Sequence, residues 1–311
     1  MIEALALLLG RHLTFRGSGR LLQLMYPCRP GSKRYIRGVR TRSDGLKFDA
    51  DTRQLIDWCM FFHGKYEPHV GLLFQRLVGP GSVVADVGAN VGAHTLTLAK
   101  LVGAGGRVFA FEPNPAVRDR LVRNLAINSF ENVVVNACAL GDIDGQLSLR
   151  VPAATSEEFS NPGLASLVAL DTPHDLVPVE VLRFDDIFHE AGFPRLDLVK
   201  IDVQGFEMNV LRGMEGAISQ YHPAIVFEYE DWAWGKAGSG LQTVSDFLKS
   251  MSYRLLRVEA GSVLELTPVG VKNFEYSHMD LIAMHLDDHR LLNVKLQATT
   301  SMSCNGPVSD K

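Results

Sequence analysis

Val83-Val84-Ala85-Asp86-Val87-Gly88-Ala89-Asn90-Val91-Gly92 is the stretch that decides the fold of this chain. Val83, Val84, Ala85 and Val87 are small or β-branched, as a strand buried on both faces requires. Asp86 stands near the end of that strand, and Gly88, Asn90 and Gly92 follow at once. Residues 94–100, His-Thr-Leu-Thr-Leu-Ala-Lys, then read as a helix, so the glycines sit at a strand-to-helix junction. Ligands of open α/β sheets bind at such junctions. Gly88 and Gly92 are expected to free the backbone for positive φ and for close approach to a ligand.

The spacing narrows the ligand. A dinucleotide fingerprint reads G-x-G-x-x-G, whereas Gly88 to Gly92 has the form G-x-x-x-G. Asp86 would repel a pyrophosphate and suits a ligand carrying an amine or sulfonium. The next strand, residues 107–112, ends in Glu112, a place from which a carboxylate holds ribose hydroxyls. An adenosine with a cationic amino-acid tail is S-adenosylmethionine. The alternative is a tight structural turn with a capping aspartate.

Working outward, residues 66–68 are Tyr-Glu-Pro, a helix is expected over 69–77, and Gly79-Pro80-Gly81 turns into the first core strand. A helix over 116–128 and a strand at 133–135 continue a β-α-β-α-β alternation. The expected fold is α/β: a doubly wound, mostly parallel sheet. Ala139 and Asp142 follow the third strand on the same edge and are candidates for contact with an adenine. Further core strands are read at 196–202, 224–230, 253–258, 263–266 and 280–284, and two more at 146–151 and 177–183.

An N-terminal α+β cap over 1–65 precedes the sheet domain at 66–295. It combines a first helix, a hairpin around Asp44-Gly45 and a helix N-capped by Thr52. Residues 152–176 form a long excursion readable as a substrate lid, and 296–311 read as a disordered tail.

The chain has 311 residues and a net charge of -4, which disfavours nucleic acid as main partner. Cys28, Cys59, Cys138 and Cys304 form no C-x-x-C pair, which suits reduced packing thiols and a cytoplasmic setting. No apolar run approaches the ~18 residues of a membrane span.

Lys200 and Glu228 each place a charge in an apolar strand. An isolated buried charge costs several kcal/mol, so an ion pair between them across neighbouring strands is expected beside the site. Asp202, Gln204, Gly205 and Glu207 follow Lys200 on the edge that carries Asp86 and Glu112. Methyl transfer to an alcohol needs a base for the hydroxyl proton. Asp202 is the first candidate, ahead of Glu207 and His94. Asp202, Glu228, Glu230 and Asp231 could alternatively hold magnesium.

These motifs, taken in order, resemble the FkbM family of S-adenosylmethionine-dependent methyltransferases. The resemblance covers about residues 64–232: Tyr66-Glu67-Pro68, the 86–92 loop, Phe111-Glu112-Pro113, Asn124 and Asn128, the segment 198–207, and Phe227-Glu228. It implies a seven-stranded class I methyltransferase sheet and S-adenosylmethionine as cofactor. It further implies a cofactor shell of Asp86, Gly88, Asn90, Gly92 and Glu112, around which Glu67, Ala89, His94, Thr95, Pro113, Ala139 and Asp202 are further candidates for cofactor contact. The acceptor it implies is a hydroxyl on a sugar or other small metabolite. An NAD-dependent oxidoreductase on the same sheet and a non-catalytic binding module are the alternatives.

Overall fold

A computed structural model describes residues 22, 24, 36–41, 45–152, 165–168, 173–259, 262–265, 278–288 and 290. The first helix and the tail read from the sequence, most of the excursion at 152–176, and Asp44 lie outside the described residues. Strands β1 (Ile36–Arg40) and β2 (Lys47–Asp51) pair antiparallel, as the hairpin reading requires. Helix α1 (Leu55–Phe62) follows. Its N-cap is Gln54 without a side-chain cap bond, so the expectation for Thr52 fails; the chain is still turning through residues 52–54.

Helix α2 (Pro68–Leu77) has proline at its first position, where no intrahelical N–H is needed. The core alternation then runs β3 (Val83–Val87), α3 (Ala93–Val102), β4 (Arg107–Phe111), α4 (Pro115–Ala126) and β5 (Val133–Asn136). The Asn114 side chain accepts from Ala116 N at 3.2 Å and caps α4, again with proline at its start. Strand β6 (Ala139–Leu140) joins β7 (Gly145–Pro152) and β8 (His174–Leu182) in a separate three-stranded sheet. After it come α5 (Phe184–Ala191), β9 (Leu198–Ile201), α6 (Glu207–Gly213), α7 (Glu215–Tyr221) and β10 (Ala224–Glu230). The chain continues with α8 (Asp231–Lys236), α9 (Leu241–Ser250), β11 (Tyr253–Glu259), β12 (Ser262–Glu265) and β13 (His278–His285).

The main sheet has the order β12-β11-β13-β10-β9-β3-β4-β5. Strands β5, β4, β3, β9 and β10 are parallel, and β13 inserts antiparallel between β10 and β11. The doubly wound α/β expectation holds, with β12 as an eighth strand on one edge. The order reverses between β3 and β9, which creates a crevice at the carboxyl ends of those strands. Every residue of β3 and of β9 is buried, because helices cover both faces.

The N-terminal hairpin is fastened to α4 by side chains. Asn128 accepts from Lys47 N at 2.7 Å and donates to Lys47 O at 2.6 Å, and Asn124 accepts from Asp49 N at 2.8 Å. Arg120 pairs with the buried Asp57 of α1. Phe48, Trp58 and Phe61 then share one apolar cluster with Val91, Leu96 and Leu121, so this cap supports the glycine loop from behind. Among the described residues no helix is long and apolar enough to cross a membrane.

Candidate active site

A cavity opens at the carboxyl ends of β3, β4 and β9. Val87, Phe111, Cys138, Leu140, Leu149 and Leu167 give it apolar walls, and Asn90, Glu112, Asp202 and Gln204 supply polar groups. Burial pushes the Cys138 thiol up to about 11, so it stays neutral as part of the wall. Gly88, Pro113, Ala139, Ala165, Val203 and Phe206 complete the lining.

Glu112 is the organising group. Its Oε2 accepts from Asn90 N at 2.9 Å and its Oε1 from Asn114 N at 2.8 Å, which locks the carboxylate plane. Burial pushes its carboxyl up to about 7, against those two amides and the charges of Lys200 and Arg118. Each oxygen keeps a second lone pair for a hydroxyl in the cavity. Asn90 reaches this bond by adopting φ 51°, a left-handed conformation that asparagine tolerates better than most residues.

Of the expected cofactor shell, Gly88, Asn90, Glu112, Pro113, Ala139 and Asp202 line the cavity, whereas Glu67, Asp86, Ala89, Gly92, His94 and Thr95 do not. Asp86 is fully buried, accepts from the Thr95 hydroxyl at 2.6 Å, and faces Lys200 Nζ at 3.6 Å. Asp86, the fourth of the five residues of β3, thus has Thr95 and Lys200 as its neighbours. His94 bonds Glu67 at 2.8 Å and packs edge-on against Phe74. Burial pushes the Glu67 carboxyl up, but the bond and charge of His94, the Tyr66 hydroxyl and Lys200 outweigh it and hold the group at about 2. Asp142 accepts from Asn209 Nδ2 at 3.1 Å and stands apart from the cavity.

Packing also requires these glycines. A Cβ on Gly88 would lie 1.8 Å from the Asp202 carbonyl oxygen, and one on Gly92 would lie 2.6 Å from Leu121 Cδ1. Their φ values of 75° and 92° add a second requirement for glycine.

The expected Lys200–Glu228 pair does not form. Lys200 is in register with Asp86 on β3 and with Val226 on β10, so Glu228 lies beyond it along the strand. The ammonium donates to Asp202 Oδ2 at 3.2 Å and to the Gly88 carbonyl at 3.3 Å, with Asp86 as its third neighbour. These carboxylates raise Lys200 well above its ordinary range despite its burial. A lysine so engaged is a strut between the glycine loop and Asp202. Glu228 instead meets Gln204, whose amide nitrogen donates to Glu228 Oε2 at 3.4 Å and to Asp202 Oδ1 at 3.3 Å. Burial, then the charges of Asp202, Glu67, Glu230 and Asp280, raise the Glu228 carboxyl well above the usual range.

Glu207 is also reassigned. It is 2% exposed, and its Oε1 accepts from Val203 N and Gly205 N, both at 3.2 Å. It therefore closes the turn after β9 from within. Burial pushes its carboxyl up to about 7. For the magnesium alternative, no group of three His, Cys, Asp or Glu is placed to hold a metal among the described residues.

Leu149 and Phe206 are cavity residues that the sequence reading does not single out, while it places Gln204 only on the sheet edge and Ala165 and Leu167 only within the 152–176 excursion. Only Gln204 carried a signal, as a polar residue between Asp202 and Glu207.

With the edge strand β12 left out, the order β5-β4-β3-β9-β10-β13-β11 counts along the chain as 3-2-1-4-5-7-6; this order, the antiparallel β13, and a carboxylate after β4 at the switch-point cavity define a class I methyltransferase fold. The family model described as Methyltransferase FkbM domain matches residues 86–255, and the chain belongs to that family. It is similar to the 31-O-demethyl-FK506 methyltransferase FkbM of Streptomyces tacrolimicus, 32% identical over 165 residues that make 44% of this chain and 61% of that protein. Methyltransferase 1 of Beauveria bassiana is 30% identical over 43% of this chain and 59% of its own length. The 2-O-methyltransferase NoeI of Sinorhizobium fredii is 26% identical over 61% of this chain and 82% of its own. The chain thus spans less than two thirds of the length of the first two of these relatives. Among solved structures, a methyltransferase FkbM from Methylobacillus flagellatus aligns with a TM-score of 0.44 at 20% identity, over 72% of this chain and 49% of that one.

Proposed function

We infer that the protein transfers a methyl group from S-adenosylmethionine to a hydroxyl on a sugar or a secondary metabolite. The observation that carries this reading is Glu112: a buried carboxylate, fixed by two backbone amides, at the mouth of an apolar slot. That arrangement fits an adenosine, whose vicinal hydroxyls would donate to Glu112 and whose ring would lie between walls such as Phe111 and Leu149. When bound, this cofactor supplies an electrophilic methyl group on a sulfonium. A hydroxyl acceptor is supported by the names of the relatives, two of which specify O-methylation.

The remaining chemistry falls to the chain's own residues. Asp202 reaches the cavity and takes the acceptor's hydroxyl proton; Lys200 and Gln204 each hold one of its oxygens. The apolar walls exclude water that would compete as nucleophile. Glu228 bonds the same Gln204 amide and lies outside the cavity lining.

Calorimetry with S-adenosylhomocysteine and with NAD separates this reading from a dehydrogenase; heat with the first and none with the second is expected. The reverse pattern would end the assignment. The acceptor is then sought by transfer of a labelled methyl group to hydroxylated natural products.

A further inference from the structure

We propose that Ser166 is a positioning residue for this site, tying one wall of the cavity to the amide that orients Asp202 and Glu228. The inference rests on the methyl-transfer reading for its purpose, and on hydrogen bonds alone for its structure. Ser166 is 1% exposed, and its hydroxyl donates to the Gln204 carbonyl at 2.7 Å while accepting from Val168 N at 2.9 Å. Its backbone exchanges two hydrogen bonds with Arg150 of β7, at 2.9 and 3.0 Å, and the Arg150 guanidinium donates to Leu167 O at 2.9 Å. The residues on either side, Ala165 and Leu167, line the cavity. The segment that walls the slot is thus anchored to β7 on one side and to the turn after β9 on the other.

What it holds in that turn is unusual. Gln204 has φ 54°, a left-handed backbone without glycine's freedom, which persists only where its surroundings fix it. Glu207 satisfies the amides on either side of it, at Val203 and Gly205, and Ser166 satisfies its carbonyl. From this pose alone the side-chain amide spans the two carboxylates. Without the Ser166 bond the 204–205 peptide is held by Glu207 at its N–H alone, and the side-chain amide's aim at Glu228 loosens.

The test needs no acceptor. Glutamate Cδ is labelled with carbon-13, the Glu228 resonance is assigned through Glu228→Gln, and its titration is followed in the wild type, Ser166→Ala and Ser166→Thr. A donated hydrogen bond favours the ionised carboxylate. Ser166→Ala is therefore expected to move the Glu228 midpoint up by at least half a pH unit, and Ser166→Thr to restore the wild-type curve. Asp202, Glu67, Glu230 and Asp280, the other charges around Glu228, are the same in all three proteins. Gln204→Ala should reproduce the shift, and adding Ser166→Ala to it should change nothing more. A Glu228 titration in Ser166→Ala that overlays the wild type, or two shifts that add, would overturn the proposal. S-adenosylhomocysteine affinity, measured in the same samples, reports on the cofactor reading separately: failure to bind the wild type would strike that reading and leave the titration result standing.

Discussion

Replacing Lys200 by methionine tests the account of the buried charges most directly. Lys200 and Asp86 have side chains 7% and 0% exposed, with Nζ and Oδ1 3.6 Å apart. At an effective dielectric of about 20 that separation corresponds to about 5 kcal/mol of attraction. Methionine fills most of the lysine stem's volume, so packing changes little. Asp86 then keeps the Thr95 hydroxyl on one oxygen, while Oδ1, which has no hydrogen-bond partner even in the intact protein, loses its counter-charge. Breaking one side of a buried pair costs about 3–5 kcal/mol, a large part of a total stability of about 5–15 kcal/mol. Urea unfolding should show that loss in Lys200→Met. Asp86→Asn combined with Lys200→Met removes both charges and should return to within about 1 kcal/mol of wild type, because the penalty belongs to the uncompensated carboxylate. Cofactor affinity should not return with it, since the Gly88 carbonyl and Asp202 still lack their donor. A single mutant costing under about 1 kcal/mol, or a double mutant no better than the single, would refute the reasoning.

Four further outcomes follow from the same geometry. Gly213→Ala, outside the cavity, should destabilise by more than about 3 kcal/mol in urea, since its Cβ would stand 1.8 Å from Gly141 O and backbone must move to admit it. Glu207 has a folded value of about 7 against an ordinary 4.5, so the folded state binds the extra proton. The stability it confers is complete below about pH 4.5 and lost as pH rises through 7, on the order of 3 kcal/mol; Glu207→Gln should make the fall of the urea midpoint between pH 5 and 8 shallower, leaving the share of Glu112 and Glu228. Glu112 also sits near 7, and its ionised form accepts from a ligand's hydroxyls more strongly than the neutral acid does, so S-adenosylhomocysteine should bind more weakly as pH falls below 7, and Glu112→Gln should abolish that dependence in calorimetry. Asp202→Asn should lower turnover at least about a hundredfold with cofactor affinity within about threefold, and an unchanged rate would remove Asp202 as the base.

How much of this was legible beforehand differs residue by residue. The run at 83–87 announced a doubly covered strand because nothing in it but Asp86 resists burial, and Asp44-Gly45 announced a hairpin whose two strands are in place. Glu112 was legible because a carboxylate just past the second strand of such a sheet is carried to the crevice by chain direction alone. Helix α5, in contrast, was passed over, since its eight residues offer only Phe184 and Phe188 as buried positions.

The sequence by itself determined the alternation of strands and helices, the sharp turn after β3 and the presence of ionisable groups at one edge of the sheet, because these depend on local periodicity and on distances of a few residues along the chain. Only the tertiary structure decided which of those groups meet. Lys200 turns to Asp86 and Asp202 instead of Glu228, Glu207 folds back onto its own turn, and Leu167 arrives from a distant loop to wall the slot. The physical reason is register: a strand's alternation says which face a side chain occupies, but its cross-strand partner is set by strand order and offset, which no single segment contains.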